Sequence, residues 1–300
     1  MRKEKWRYIK KQFALLKNPF ALVFYIIIWL YVISLIVPTI WMFFVTLKDS
    51  LQFRYNRFGL PNPLTFENYL NVFSKMYIQI IYPPYNKIYV PQLMFNGVTY
   101  AVLNAAAPLF TQCLVSYGCT KYKSAFGSFL QAFAIITMIL PLVGSMGATL
   151  RLYRMLGLYN NFPGIIFAHA GWGGSNFLIF CGMFKGVAND YRDAAFIDGA
   201  GHFRVFTTIM LPMVKTSIMA LFILSFIAGW NDYMTPMVYL PKYPTIAYGL
   251  FSFRNSTDSL VSQIPMQMTG CLVVMIPIII LFVCFRNKIM GNITLGGLKG

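Results

Sequence analysis

The chain has 300 residues, of which 58% are hydrophobic and only 11% are charged, against about 25% charge in ordinary soluble domains. A water-solvated core of this size cannot cover so much apolar surface, and the mean hydropathy of +0.61 makes hydrocarbon the expected solvent. The formal net charge of +17 would point to nucleic acid in a soluble protein. Here it fits the lysine and arginine bias that orients membrane proteins, and no basic face with interleaved stacking aromatics lies outside the apolar stretches, so nucleic acid is excluded as a partner.

A membrane-crossing helix needs ~20 mostly apolar residues, and the sequence offers about six such stretches. In chain order they run over Ala21 to Val45, Asn96 to Cys119, Gly127 to Ala148, Phe162 to Phe184, Thr216 to Leu240 and Met266 to Phe285. The expected fold class is an all-α membrane protein. Residues 1–19 form a basic N-terminus, 20–286 the membrane body with a loop at 188–212, and 287–300 a C-terminal tail. The first apolar run is too long for a cleaved signal peptide and is expected to stay as an anchor. The loop from Thr46 to Phe95 carries Pro61, Pro63, Pro83, Pro84 and Pro91; a connection of this length is folded or functional more often than slack. Leu150 to Leu158 reads as an interfacial turn with Arg151 and Arg154 on its polar side. The fourth stretch is interrupted by Gly171, Gly173 and Gly174, which suits an interior helix that approaches its neighbours closely.

Charge sets the orientation. With both termini in the cytoplasm, the inner segments hold most of the 25 basic residues, among them Lys121, Lys123, Lys185, Arg192, Arg204 and Lys215, as the positive-inside rule requires. The five cysteines, Cys113, Cys119, Cys181, Cys271 and Cys284, all lie in apolar segments, where cysteine behaves as a small hydrophobe. With no CxxC and only His169 and His202 available, neither a disulfide framework nor a metal site is expected. No Ser/His/Asp, Cys/His or paired-carboxylate set marks a catalytic centre.

The inner loop between the fourth and fifth stretches is the most informative part of the chain. Asp190 is placed to cap a helix starting at Tyr191, with Asp193 three residues on. Ala194 and Ala195 give that helix a low profile. Gly199 supplies a position where positive φ is free, and a second amphipathic piece follows through Phe206 and Ile209. Pro212 fits the first turn of the fifth helix, where its missing N–H costs nothing. Taken singly, Asp193 can be a helix-dipole partner, Gly199 a C-cap and Pro212 a helix start. Their fixed order and spacing point to a docking element.

That segment resembles the "EAA" loop of ABC-importer permeases, a pattern of Glu-Ala-Ala, Asp-Gly-Ala and a downstream Ile-x-Leu-Pro. Here it reads Asp193-Ala194-Ala195, Asp198-Gly199-Ala200 and Ile209-Met210-Leu211-Pro212. Thr65-Phe66-Glu67-Asn68-Tyr69 is similar to the "TxENY" stretch of the outer loop in carbohydrate-class permeases. Trp230-Asn231-Asp232-Tyr233, with Pro236, resembles the "WN-acid-aromatic" stretch of their fifth helix, and Gly296 to Gly300 their "GAVKG" C-terminus. The likeness is to the permease that sits second in maltose-type importers. The chain departs from the pattern at Asp193, one methylene shorter than Glu, and at Ala188 and Thr216, where Pro is common.

The resemblance implies a type I importer permease fold and a half-channel for a sugar or oligosaccharide in a bacterial plasma membrane. It implies no cofactor on this chain, which agrees with the lack of a G-x-x-x-x-G-K-[ST] motif; ATP and Mg would sit in partner subunits. The implied partners are a second permease, two ATPase subunits, an extracytoplasmic solute-binding protein and membrane lipid. Asp193, Ala194, Ala195, Asp198, Gly199, Ala200, Phe206, Leu211 and Pro212 would form the coupling surface toward the ATPase.

Asp232 is the acid expected within an apolar span, roughly 24 Å along the fifth helix from Thr216 at 1.5 Å per residue. A charge there is costly in lipid and must face protein or water. It can line a translocation path with Trp230, Asn231 and Tyr233, or it can make a structural bond between helices. Asn176 and His169 in the fourth stretch pose the same choice. The alternative class, an ion-coupled secondary transporter, would call for repeated halves and several intramembrane acids.

Overall fold

The computed structural model describes residues 18–122, 124–140 and 144–293, with side chains as far as residue 285. The expected basic N-terminus, Lys123 and the Gly296–Gly300 motif lie outside these described residues. The chain divides into two compact units, one of residues 1–72 and 258–272, the other of residues 73–257 and 273–300.

The first unit opens with α1 (Pro19–Thr46), whose N-cap Asn18 accepts the amide of Phe20 at 3.1 Å. From Phe20 to Phe43 its large apolar side chains are largely exposed, which in a chain of this hydropathy is the surface given to lipid. Its C-terminal carbonyls are the orphans of any helix end, and the segment resembling "TxENY" meets them. Asn68 Nδ2 donates to the carbonyls of Thr46 (2.9 Å) and Lys48 (2.7 Å), Tyr69 and Thr46 share a hydroxyl bond of 2.7 Å, and the amide of Thr65 donates to Leu47 O at 3.0 Å. Lys48 is fully buried and gathers the loop after α2 (Ser50–Tyr55) by donating to the carbonyls of Asn56 (2.8 Å) and Gly59 (2.5 Å). Burial pushes its ammonium below the ordinary lysine value. The expectation that the loop after α1 is folded is met by these bonds.

Helix α3 (Glu67–Lys75) precedes an antiparallel hairpin of β1 (Tyr77–Gln79) and β2 (Lys87–Tyr89), in register at Ile78↔Ile88. The second unit holds this hairpin and then α4 (Val90–Lys121), α5 (Ala125–Ile139), α6 (Met146–Met155), α7 (Phe162–His169), α8 (Ser175–Gly186), α9 (Asp190–Ile197), α10 (His202–Val205), a π-helical turn (Phe206–Met210), α11 (Leu211–Asn231), α12 (Met234–Tyr239) and α13 (Ile246–Arg254); α14 (Ile264–Ile293) begins in the first unit and continues in the second from Val273. Helix α4 is the hub of this unit and packs on α5, α7, α8, α11, α13 and β2.

Among the described residues, four helical stretches are long and apolar enough to cross a membrane: Pro19–Thr46, Val90–Lys121, His202–Asn231 and Ile264–Phe285. These correspond to the first, second, fifth and sixth expected spans. The third expected span is shorter than read. Helix α5 stops at Ile139, and Leu140 turns extended (φ −70°, ψ 117°), as a residue preceding proline prefers; α6 begins at Met146, earlier than the turn expected from Leu150. The fourth is broken between His169 and Ser175, where Gly174 takes φ +105°, a region that favours glycine. The fifth ends at Asn231 rather than Leu240, and the sixth runs on to Ile293.

The α4–α11 contact depends on one small residue. A Cβ placed on Gly229 would stand 3.2 Å from Ala101 Cα, so the two backbones meet there with no room for a side chain. Gly229→Val is expected to destabilise the protein by about 1–3 kcal/mol through overpacking, read as a lowered Tm in detergent. An unchanged Tm would contradict the close approach.

Candidate functional site

The loop between α8 and α11 is a stiff two-helix element. Asp190 is the first residue of α9 rather than its cap; the N-cap is Asn189, which makes no side-chain cap bond. The carboxylates of Asp190 and Asp193 instead lie in the first turn, where the helix N-terminus favours negative charge. At the other end Gly199 has φ +78°. Its amide donates to Phe196 O (3.0 Å) and that of Ala200 to Ala195 O (2.9 Å). This pair of bonds is a Schellman cap, which requires a left-handed residue at the glycine. The sequence expectation for Gly199 therefore has a geometric cause.

Beyond the turn, helix runs without a break from His202 to Asn231, so Pro212 lies inside a longer rod instead of starting one. The π turn explains how. Pro212 has no N–H and its ring crowds the carbonyl four residues back; the wider turn, in which Leu211 N–H reaches Phe206 O, makes room. The hydroxyls of Thr207 and Thr208 donate to Phe203 O (2.9 Å) and Arg204 O (2.6 Å), meeting carbonyls that the irregular ladder leaves poorly served.

One face of this loop is buried against the helix ends. Ala195, Val205, Phe206, Met210 and Val214 form a single apolar cluster with Leu109, Cys113 and Tyr117 of α4 and Phe180 and Phe184 of α8; Ala200 and Leu211 pack on its edge. The ring of Tyr117 lies 4.9 Å from Phe206 and 5.5 Å from Phe184. Polar bonds tie the same joint. Lys121 Nζ donates to Val187 O (2.5 Å) and Asn189 Oδ1 (3.0 Å), Arg192 donates back to Lys121 O, and Tyr122 shares a 2.7 Å bond with His202 Nδ1.

The opposite face is open. Tyr191, Asp193, Ala194, Asp198, Gly199 and Pro212 are exposed, with Ile197 at 88% and Phe203 at 70%. Asp193 is paired on its own chain, its Oδ1 taking Arg192 Nε at 2.9 Å and Nη2 at 2.8 Å. The nine sequence candidates thus divide: Ala195, Ala200, Phe206 and Leu211 face inward and anchor the loop, while Asp193, Ala194, Asp198, Gly199 and Pro212 face outward. Sequence reading missed Lys121, Arg192, Tyr117 and Tyr122, whose roles come from tertiary contact, and it missed Ile197 and Phe203. Two large apolar residues flanking a glycine turn on a short loop were the signal for that pair.

The interior polar candidates are placed as follows. Asp232 does not lie within a span. It leaves the helix as the C-cap of α11 with ψ 106°, and both its oxygens are engaged: Oδ2 accepts the hydroxyl of Tyr100 (2.8 Å) and Oδ1 the amide of Thr235 at the start of α12 (3.0 Å). Of the two readings of Asp232, the structure shows the interhelical bond. Trp230 is buried at 1% exposure and donates to Val274 O at 3.3 Å. Asn231 is exposed and folds back on Ile227 O, and Tyr233 stacks on Phe251 at 4.5 Å. His169 pairs with Asn104 at 2.9 Å. Asn176 is half-buried in the first turn of α8.

Comparison with known proteins places this geometry. Residues 113–290 match the family described as binding-protein-dependent transport system inner membrane component. Among relatives, the maltodextrin transport system permease protein MalD of Streptococcus pneumoniae is 26% identical over 91% of this chain and 94% of its own. The arabinooligosaccharides transport system permease protein AraQ of Bacillus subtilis is 26% identical over 80% of this chain and 81% of its own. A chain from the crystal structure of a bacterial ABC transporter involved in alginate import superposes with a TM-score of 0.72 at 20% identity, covering 89% of this chain and 95% of that one; at that identity the likeness is one of fold. With its long apolar helices and a family match that runs from the last turns of α4 into α14, this chain is a multi-pass membrane protein and belongs to the binding-protein-dependent transport system inner membrane components.

Proposed function

We propose that the chain is one permease subunit of an ATP-driven importer of a sugar or oligosaccharide, with both termini in the cytoplasm of a bacterium. It would pair with a second permease, receive solute from an extracytoplasmic binding protein, and be driven by two ATPase subunits that hold ATP and Mg. Family membership and relatives that carry maltodextrin or arabinooligosaccharides by name support the transport class and the solute class. The observation that carries the coupling role is the two-faced loop. Its inner face is locked to α4 and α8, it is continuous with α11, and it leaves Ile197 and Phe203 exposed on a capped, stiff turn. A lever of this kind passes displacement to two long helices without bending at the joint. The ion-coupled alternative has less support, because Asp232 is committed to Tyr100 and Thr235.

Two outcomes test the proposal. Gly199→Val puts a β-branched residue at φ +78°, a left-handed conformation that costs roughly 1–2 kcal/mol. No neighbour lies within 4 Å of its Cβ position, so the strain falls on the turn rather than on packing. Proteoliposome assays are expected to show intact assembly with fewer solutes imported per ATP hydrolysed; a wild-type ratio would contradict the lever. Ile197→Asp is expected to weaken capture of the ATPase about tenfold or more, the ~1.4 kcal/mol scale of an interface anchor, with normal membrane yield. Wild-type co-purification would remove Ile197 from the docking surface.

A further inference from the structure

The fourth apolar stretch is not one helix, and the break has unusual chemistry. Helix α7 ends at His169, Gly174 turns at φ +105°, and α8, of 12 residues, starts at Ser175 with no side-chain cap and no acid in its first turn. Its leading amides are donors left over from the helix. Beside them lies Gln112 of α4, only 7% exposed. Its Nε2 donates to Gly173 O at 2.8 Å and sits 3.9 Å from the Cβ position of Gly174. The Gly173 carbonyl fixes which end of the carboxamide is nitrogen. The other end, Oε1, is buried with no hydrogen-bond partner among the described residues.

A buried amide oxygen without a donor costs free energy, and more so where lipid replaces water. The position is otherwise well ordered. Trp172 lies edge-on to Phe177 at 5.4 Å and stacks near Phe133 at 6.3 Å, so aromatic packing fixes the chain within the break. Cβ positions on Gly171 and Gly173 would meet nothing within 4 Å, which leaves space against exposed backbone. The unpartnered acceptor of Gln112 and the leftover donors at the head of α8 together match a hydroxyl, which donates and accepts at once. Discontinuous membrane helices use their half-helix ends in the same way to hold solutes.

We propose that the Gly171–Gly174 break, with Gln112 Oε1 and the first turn of α8, is a binding site for hydroxyl groups of a neutral polyhydroxy solute in transit. Asn176, half-buried in that turn, is positioned to add a second carboxamide. The site rests on the importer reading and gives it a location within this subunit.

The test uses the assembled transporter in nanodiscs, without binding protein, and maltotetraose or arabinotriose as probe, read by saturation-transfer NMR. Saturable transfer to at least one probe is expected, with half-saturation raised at least tenfold by Gln112→Leu and by Gly173→Val, which fills the open space at a residue of ordinary φ. Gln112→Asn keeps the carboxamide but shortens its reach, and is expected to give a smaller shift; retained ATPase capture checks that each variant folds. No transfer, or equal transfer in all proteins, overturns the site. ATP-dependent uptake of the same probes into proteoliposomes separates the two readings. Uptake without transfer overturns the site alone, and loss of both overturns the importer reading for these solutes too.

Discussion

In hydrocarbon every polar group must find a partner within the protein, and in the second unit α4 supplies several of those partners. Asn96, Tyr100, Asn104 and Gln112 fall on one ridge of four-residue spacing, with Pro108 at the intervening position. Asn96 bonds Pro244 O (3.0 Å), Tyr100 bonds Asp232 (2.8 Å), Asn104 bonds His169 (2.9 Å) and Gln112 bonds Gly173 O (2.8 Å). Each partner sits where the chain stops being regular helix: a loop before α13, the corner after α11, the end of α7, the break before α8. Lys121 repeats the pattern at the last turn of α4, donating to the carbonyl of Val187 and to Asn189 Oδ1. Irregular backbone is thus held to one long helix.

The same arrangement gives the loop its mechanical character. Polar bonds at Lys121 and Arg192 and the apolar cluster around Tyr117 act on the loop from one side, and the π turn joins it to α11 without a flexible residue between them. Between α9 and α10 the chain departs from helix at the Gly199 turn, and its Schellman bonds close that departure. On the proposed function, a pull on Ile197 or Phe203 reaches α4 and α11 together. Asp193, by contrast, is already paired with Arg192, so the exposed apolar side chains are the better anchors.

Much of this was legible in the sequence, and the rest was hidden for identifiable reasons. Length and hydropathy gave the first, second, fifth and sixth spans, because a long apolar run has few other solutions. The Asp198-Gly199 turn was readable because positive φ selects glycine. The "TxENY"-like segment was recognised by resemblance, and only the structure shows why those residues are needed: Asn68 and Tyr69 close the end of α1. Composition could not show that Gly174 breaks the fourth stretch instead of packing within it, since both uses favour glycine. Nor could it show that Asp232 sits at a corner, because Met234–Tyr239 continues the apolar run past it. Pro212 misled in the opposite sense. A proline normally marks a helix start, and the π turn that lets the rod pass through it leaves no simple mark on sequence.

The central claim is that the loop and α4 move as one body. Spin labels at Asp198 on the exposed side of the loop and at Leu114 on the exposed side of α4 report it directly. Pulsed electron resonance on the assembled transporter, nucleotide-free and trapped with ATP, should return the same narrow distance distribution in both states while distances to the ATPase change. A shifted or broadened Asp198–Leu114 distance on ATP binding would show that the joint at Tyr117 and Lys121 yields, and the account would fail.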